Sequence, residues 1–142
     1  QVSSKIISSG KILSIDIKKM DELKTVSFLQ CDFLQESTKE KILNFFGEEL
    51  DVVLSDMAAD TTGNKSLDCI RTNKLCADVV EFSSKILKPS GILVSKLFMG
   101  DDFLEVKELA KSKFKKVEFF KPEASRSESK ETYIHCAILK TL

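Results

Sequence analysis

The chain has 142 residues, of which 42% are hydrophobic and 31% are charged, a composition typical of one ordinary globular domain. Its 22 basic and 22 acidic side chains cancel, which excludes a strongly basic or acidic protein. No apolar run approaches the roughly 18 residues that span a bilayer, and residues 1–11 lack the order of a signal peptide. We therefore expect a cytoplasmic protein that makes no membrane contact.

Before residue 48 the hydrophobic pattern predicts, in order, a helix, two strands and a second helix: residues 1–9, 11–17, 26–30 and 38–46. Gly10 and Gly47 follow the two helices and are expected to end them, since glycine accepts the left-handed conformation of a helix terminus. Asp16 ends the first strand and Asp32 closely follows the second. Acidic side chains are therefore expected at the ends of both strands.

The stretch LDVVLSDMA, residues 50–58, is the pattern on which the rest of the interpretation depends. Its apolar run shows no alternation, which predicts a strand buried on both faces of a parallel sheet. The run ends at Ser55 and Asp56. Because ligands of open α/β sheets bind beyond the carboxyl ends of strands, we expect chemistry at Asp56.

After a polar loop at 60–65, the pattern predicts a helix, a strand, a helix and two strands: residues 67–87, 91–98, 101–111, 115–120 and 131–139. Ser66 is the expected N-cap of the first of these helices, and Asp101 is expected to begin the second. Residues 89–91 are expected to break the chain between helix and strand. The order predicts an α/β fold with a mixed sheet and a C-terminal antiparallel hairpin.

Lys96 stands inside a predicted strand, where a lysine is rarely buried unless it is paired. Burial would lower its pKa, as a catalytic base requires, although a lysine that extends to the rim of the sheet is the alternative. Glu131 begins the last predicted strand. Together with Asp56 it would flank Lys96 with two carboxylates, which orient an amine but also raise its pKa.

Metal and disulfide chemistry is not expected. The four cysteines form no Cys-x-x-Cys pair, and His135 is the single histidine. The acids at the strand ends have a different use, because a carboxylate at the end of a Rossmann strand commonly accepts the ribose hydroxyls of an adenosine cofactor. Asp16 fits that position, although a solvated or capping acid is the alternative, and the signal at Asp32 is weaker.

Four segments carry a family resemblance: LDVVLSDMA, TTGNKSLD, LKPSGILVSKLFMGDDF and FKKVEFFKPEASRSESKETYIHC. They resemble the FtsJ-type ribosomal RNA methyltransferases, which transfer a methyl group from S-adenosylmethionine to a ribose 2′-hydroxyl. The resemblance implies a Rossmann-like S-adenosylmethionine-dependent methyltransferase fold. It also implies a uridine ribose in large-subunit ribosomal RNA as the target, with the RNA or the large ribosomal subunit as partner.

The same resemblance implies the site. Lys96 corresponds to a catalytic lysine that accepts the hydroxyl proton, with Asp56 and Glu131 as catalytic carboxylates. Asp16 corresponds to the residue that binds the cofactor ribose, Asp32 lies near the adenine, and Asp56 also lines the cofactor pocket. No metal is implied. A displacement of this kind needs no covalent intermediate, so positioning is expected to carry most of the rate.

The family begins with another catalytic lysine, a first strand and a glycine-rich loop, and Gln1 matches the residue after that loop. We therefore expect residues 1–142 to be a single methyltransferase domain that is incomplete at its N-terminus and lacks the first strand. On this expectation the 142 residues are inactive by themselves.

Charge is uneven along the chain. Residues 107–130 carry eight basic and four acidic side chains, a net charge of +4. We predict that cations of this segment contact RNA phosphates, although a solvated face explains them equally well. The candidates are Lys115, Lys116, Lys121, Arg126 and Lys130. We expect a monomer that binds RNA and not DNA.

Three other functions compete with this interpretation. A nicotinamide dehydrogenase would also use Asp16 but leaves Lys96 and Glu131 without a role. A base-amino methyltransferase usually has an Asp/Asn-Pro-Pro-aromatic motif where this chain has DMAA after Ser55. The third is a methyltransferase-like domain that binds RNA or cofactor without catalysis.

Overall fold

The structure is a computed structural model that describes residues 1–100, 102–126 and 128–141. The chain divides into two compact units, Gln1–Glu48 and Glu49–Leu142. Among the described residues, no helix combines the length and the apolar character that crossing a membrane requires.

The first unit contains α1 (Val2–Ile6), β1 (Leu13–Asp16), β2 (Ser27–Gln30) and α2 (Glu36–Phe46). The two strands pair in parallel, and their carboxyl ends therefore lie side by side. Gly47 ends α2 in the left-handed conformation, with φ +67°, as its position predicts. Gly10 does not end α1, because the helix stops at Ile6 and Gly10 lies in the connection to β1.

The second unit contains β3 (Leu50–Ser55), α3 (Lys65–Ile86), β4 (Leu87–Phe98), α4 (Phe103–Lys113), β5 (Phe114–Phe120) and β6 (Glu131–Leu139). Its sheet has the order β3-β4-β6-β5. β3 and β4 are parallel, and β6 is antiparallel to both β4 and β5. The predicted mixed sheet and C-terminal antiparallel hairpin are therefore confirmed.

The prediction that β3 is buried on both faces is wrong. Val52 and Leu54 are 52% and 63% exposed, and within the described part of the chain β3 is an edge strand that pairs only with β4. The apolar run is a property of the side chains of β3. The burial of a strand also depends on which strands and helices pack against it, and the run does not determine these.

Three predicted boundaries also differ. Asn64, not Ser66, caps α3, and its side-chain oxygen accepts hydrogen bonds from the amides of Ser66 and Leu67 at 3.1 and 3.2 Å. The break at residues 89–91 does not leave a loop, because β4 begins at Leu87 and residues 88–91 lie opposite the single residue Asp51 of β3, where the strand register shifts. Helix α4 begins at Phe103, and the predicted first residue Asp101 lies outside the described residues.

The two faces of the sheet differ in burial. Leu93, Ser95 and Leu97 of β4 are buried on the face that α3 and α4 cover, and Ile134 and Cys136 of β6 join them. The alternate residues of both strands are only half-buried. The period of two along a strand thus separates a core face from an open face.

A fully buried asparagine ties the carboxyl end of β4 to the helices. The Asn73 side-chain amide of α3 donates to the Phe98 carbonyl and to Asp102 Oδ1, both at 2.9 Å, and its oxygen accepts from the Phe98 amide at 2.7 Å. Because the side chain is fully enclosed, each of these groups would lose its partner without gaining water. Asn73 therefore fixes the strand end two residues beyond Lys96.

Replacing Asn73 tests how much its buried hydrogen bonds stabilise the fold. We expect Asn73→Ala to lower the free energy of unfolding by about 2–4 kcal/mol, since it leaves buried backbone groups unpaired and opens a small cavity. Urea denaturation measures the change. The control is Lys74→Ala at the exposed neighbouring position, expected to change stability by less than about 0.5 kcal/mol. Equal effects of the two variants would contradict the role of Asn73.

Candidate active site

Lys96 lies between two carboxylates on the open face of the sheet. Its Nζ is 2.9 Å from Asp56 Oδ1 and 3.2 Å from Glu131 Oε2. The Lys96 side chain is 13% exposed, whereas that of Asp56 is 72% exposed. The structure thus brings together the three residues to which the sequence assigned catalysis, and it leaves the cluster accessible from the Asp56 side.

Strand register explains the convergence. Ser55 of β3 pairs with Ser95 of β4, which places the next residues, Asp56 and Lys96, beside each other. Phe98 of β4 pairs with Glu131 of β6, two residues along the strand and on the same face as Lys96. The cluster therefore depends on pairing between three strands that are far apart in sequence.

Tyr133 is a fourth member that the sequence interpretation missed. It pairs directly with Lys96 across the two strands, and its hydroxyl donates a hydrogen bond of 2.6 Å to Asp56 Oδ1. The available signal was the period of two along β6, which puts Tyr133 on the same face as Glu131. Tyr133 and Lys96 thus both hold the same oxygen of Asp56.

Glu131 is held by the loop that precedes it. Its Oε1 accepts a hydrogen bond from the Ser125 hydroxyl at 3.1 Å, which leaves Oε2 directed to Lys96. The Glu131 amide donates to Ser129 Oγ at 3.1 Å. The polar loop at 121–130 therefore orients one side of the cluster.

The electrostatics favour the charged forms of Lys96 and Asp56. Partial burial lowers the pKa of Lys96, but its hydrogen bonds to Asp56 and Glu131 outweigh burial and hold the pKa above the usual value. Burial raises the pKa of Asp56, and the hydrogen bonds from Tyr133 and Lys96 reverse that shift. Burial and the bond to Asp56 raise the pKa of Tyr133 to about 12. At neutral pH Lys96 is therefore an ammonium, Asp56 a carboxylate and Tyr133 a neutral phenol.

The two acids of the first unit occupy neighbouring strand ends. Asp16 is the last residue of β1, and the backbone amide of Cys31 donates to the Asp16 carbonyl at 3.0 Å. Asp16 and Asp32 each accept a backbone hydrogen bond at Oδ1, from Lys18 and Leu34 at 2.8 and 2.9 Å. Because a carboxylate has about four acceptor positions, both keep capacity for ligand hydroxyl or amino protons. These free acceptor positions fit the hydroxyl and amino groups of an adenosyl group.

The predicted RNA-binding cations do not form one patch. Lys116 lies on the open face, where its Nζ is 3.1 Å from Glu118 Oε2, and its exposed neighbour Lys115 points away from that face because successive residues of a strand alternate. The other three, Lys121, Arg126 and Lys130, are exposed in or beside the loop that ends at Glu131. Lys121 Nζ donates to the Ser129 carbonyl at 2.7 Å, so one of the cations also braces that loop.

The fold is that of an α/β methyltransferase, and comparison with known proteins identifies its family. Residues 1–139 match the FtsJ-like methyltransferase family, and the chain belongs to that family. The ribosomal RNA large subunit methyltransferase E of Pelagibacter ubique is 43% identical to it over 99% of the chain. The corresponding protein of Rickettsia akari is 44% identical over 94% of the chain. The chain spans 69% and 62% of the lengths of these two relatives.

A solved structure supports the same assignment. The crystal structure of a Plasmodium falciparum protein described as a ribosomal RNA methyltransferase superposes with a TM-score of 0.79 at 25% identity. The match covers 91% of this chain and 72% of that protein. The predicted Rossmann-like methyltransferase fold is therefore confirmed.

Removing the Tyr133 hydroxyl tests its effect on Asp56. We expect Tyr133→Phe to raise the pKa of Asp56, because the variant loses a hydrogen bond that stabilises the carboxylate. Titration of the Asp56 carboxyl carbon by NMR measures the shift. His135→Gln, two residues along the same strand face, is the control and should leave the Asp56 titration in place. An unchanged or lower pKa in Tyr133→Phe would contradict the assignment.

Proposed function

We propose that the protein transfers a methyl group from S-adenosylmethionine to the 2′-hydroxyl of a ribose in large-subunit ribosomal RNA, with uridine as the target nucleotide. The observation that carries this proposal is the ion-paired Lys96 between Asp56 and Glu131, on an open sheet face. Membership of the FtsJ-like family supports the reaction class. We further propose that the protein acts as a monomer in the cytoplasm.

Each residue of the cluster has a separate role in the proposed methyl transfer. S-adenosylmethionine supplies an electrophilic methyl group on a positively charged sulfonium. Lys96 Nζ accepts the proton of the ribose hydroxyl as that oxygen becomes the nucleophile, and Asp56 and Glu131 hold Nζ in position. Tyr133 orients Asp56 through its hydrogen bond to Oδ1. Correct placement of the hydroxyl beside Nζ is the main contribution of the protein.

The protonation of Lys96 sets a condition on this mechanism. Its raised pKa means that Nζ must release a proton before it accepts one from the ribose. A positive charge brought close to an ammonium lowers the pKa of that ammonium. The proposed mechanism therefore predicts that deprotonation of Lys96 limits the rate at low pH.

Asp16 and Asp32 are the residues that we propose for the adenosyl part of the cofactor. Their adjacent positions at the ends of β1 and β2 support this role, with Asp16 accepting the ribose hydroxyl protons and Asp32 lying by the adenine. We also propose Asp56 as a cofactor-binding residue. For the RNA, Lys121, Arg126 and Lys130 are better placed than Lys115, because they belong to the loop that orients Glu131.

One observation favours a second candidate, a domain that binds RNA or cofactor without catalysis. A lysine whose two carboxylate partners keep it protonated also serves as a structural tie between strands. The two candidates differ in whether Lys96 must lose its proton.

Methyl transfer distinguishes them. With labelled S-adenosylmethionine and the full-length protein, we expect wild type to methylate ribosomal RNA or isolated large subunits, and Lys96→Ala to lose about 10²- to 10⁴-fold in rate. Lys96→Arg should be equally impaired, because arginine keeps the ion pairs but cannot give up its proton. Cofactor binding, measured by calorimetry, should persist in both variants.

Lys88→Ala is the matched control, since Lys88 lies on the same strand and pairs with Asp51 at 2.7 Å, away from the cluster. It should methylate as wild type does. Full activity in Lys96→Arg would exclude Lys96 as a base, and an inactive wild type that still binds RNA or cofactor would favour the second candidate.

The pH profile gives an independent prediction. Because Glu131 raises the pKa of Lys96, Glu131→Gln should lower that pKa and move the rising limb of the rate to lower pH. The position of the limb, not the size of the rate, is the quantity to compare. Glu128→Gln, an exposed acid in the same loop, is the control and should not move it. A limb that moves to higher pH would contradict the role of Lys96.

A further inference from the structure

The catalytic cluster belongs to a row of side chains that crosses the whole sheet. Lys96 of β4 pairs with Tyr133 of β6, which pairs in turn with Phe120 of β5, and Asp56 extends the row beyond β3. Residues directly opposite each other on paired strands share a face. Phe120 therefore lies on the open face, two strands and about 10 Å from Lys96.

Phe120 is an exposed aromatic ring held in a defined orientation. Its side chain is 45% exposed, and its ring stacks on Tyr133 with centroids 5.8 Å apart and planes inclined by 21°. The Thr132 hydroxyl donates to the Phe120 carbonyl at 2.8 Å and fixes the backbone. By contrast, the ring of the preceding Phe119 packs against the ring of Phe103 in α4, with centroids 4.7 Å apart. Phe119 thus packs against the helix, whereas Phe120 leaves much of its surface open.

We propose that Phe120 stacks against a nucleobase of the substrate RNA that adjoins the reacting ribose. The inference rests on the proposed function and adds a substrate contact to the same site. Bases of single-stranded RNA are recognised by stacking on aromatic side chains, which tolerate any base because every base has a flat π-face.

Two observations favour a nucleobase as the occupant of this surface. The ring joins the cluster through Tyr133, whose hydroxyl holds Asp56, so a base on Phe120 lies beside the ribose site. Phe120 is also followed at once by the loop that carries Lys121, Arg126 and Lys130. A ring next to cations is the combination that binds single-stranded nucleic acid, since the cations contact phosphates while the ring stacks a base.

A tryptophan at this position reports stacking directly. The chain contains no tryptophan, so Phe120→Trp adds the only one and keeps an aromatic surface. We expect its fluorescence to be quenched when a uridine-containing single-stranded RNA oligonucleotide saturates the 142-residue chain. Saturation is followed separately by the anisotropy of a label on the RNA. Leu104→Trp is the matched control: Leu104 is 62% exposed on α4, and its signal should not change.

Removing the aromatic ring of Phe120 tests the same contact by enzyme kinetics. In the full-length enzyme, Phe120→Leu should raise KM for RNA about 5- to 150-fold, the range that one lost base stack produces, with kcat and KM for S-adenosylmethionine unchanged. Phe120→Trp should keep KM near the wild-type value. If Phe120 had a purely structural role, its replacement would instead lower the melting temperature and kcat. The leucine and tryptophan variants would then not differ in KM for RNA.

The outcomes separate the two proposals. RNA binding by anisotropy with no quenching of Phe120→Trp beyond that of Leu104→Trp overturns the stacking assignment and leaves the proposed function standing. No RNA binding by the full-length protein in the same anisotropy assay overturns both. Quenching together with a KM effect restricted to RNA supports Phe120 as a substrate-binding residue.

Discussion

The paired charge of Lys96 is the constraint on which the functional half of this structure depends. A largely buried ammonium is costly unless carboxylates accept its hydrogen bonds, and here Asp56 and Glu131 do so from two other strands. The three strands must therefore pair in one register for any of the three charges to be satisfied. The requirement that stabilises the cluster also defines its geometry.

The two faces of the sheet that carries Lys96 have different roles. The face under α3 and α4 supplies the apolar core, and Asn73 links that core to the end of the strand that carries Lys96. The opposite face stays open and carries the charged and aromatic row. Rigid packing on one side thus allows accessible polar groups on the other to keep fixed positions, as catalysis by orientation requires.

The ion pairs that stabilise the cluster oppose the role proposed for Lys96 as a base. The carboxylates that hold Lys96 also raise its pKa, which opposes the proposed role as a base. Tyr133 has a comparable effect on Asp56, since its hydrogen bond favours the carboxylate. Under the proposed mechanism, Lys96 is ion-paired and protonated before substrate binds, and it must lose its proton when the ligands bind, which links proton transfer to binding.

Much of this protein could be predicted from the sequence, because local patterns determine local structure. The order of helices and strands, the acids at strand ends and the lysine inside a strand all follow from period and residue type, and the quoted segments indicated the family. The tertiary structure alone decided what depends on distant pairing: the exposure of β3, the register shift at residues 88–91, and the hydrogen bond from Tyr133 to Asp56. The capping of α3 by Asn64 shows the same limit at short range, because Asn64 and Ser66 are both suitable N-cap residues and backbone geometry selects one. Register and neighbour number are properties of the assembled sheet, and no single stretch of sequence contains them.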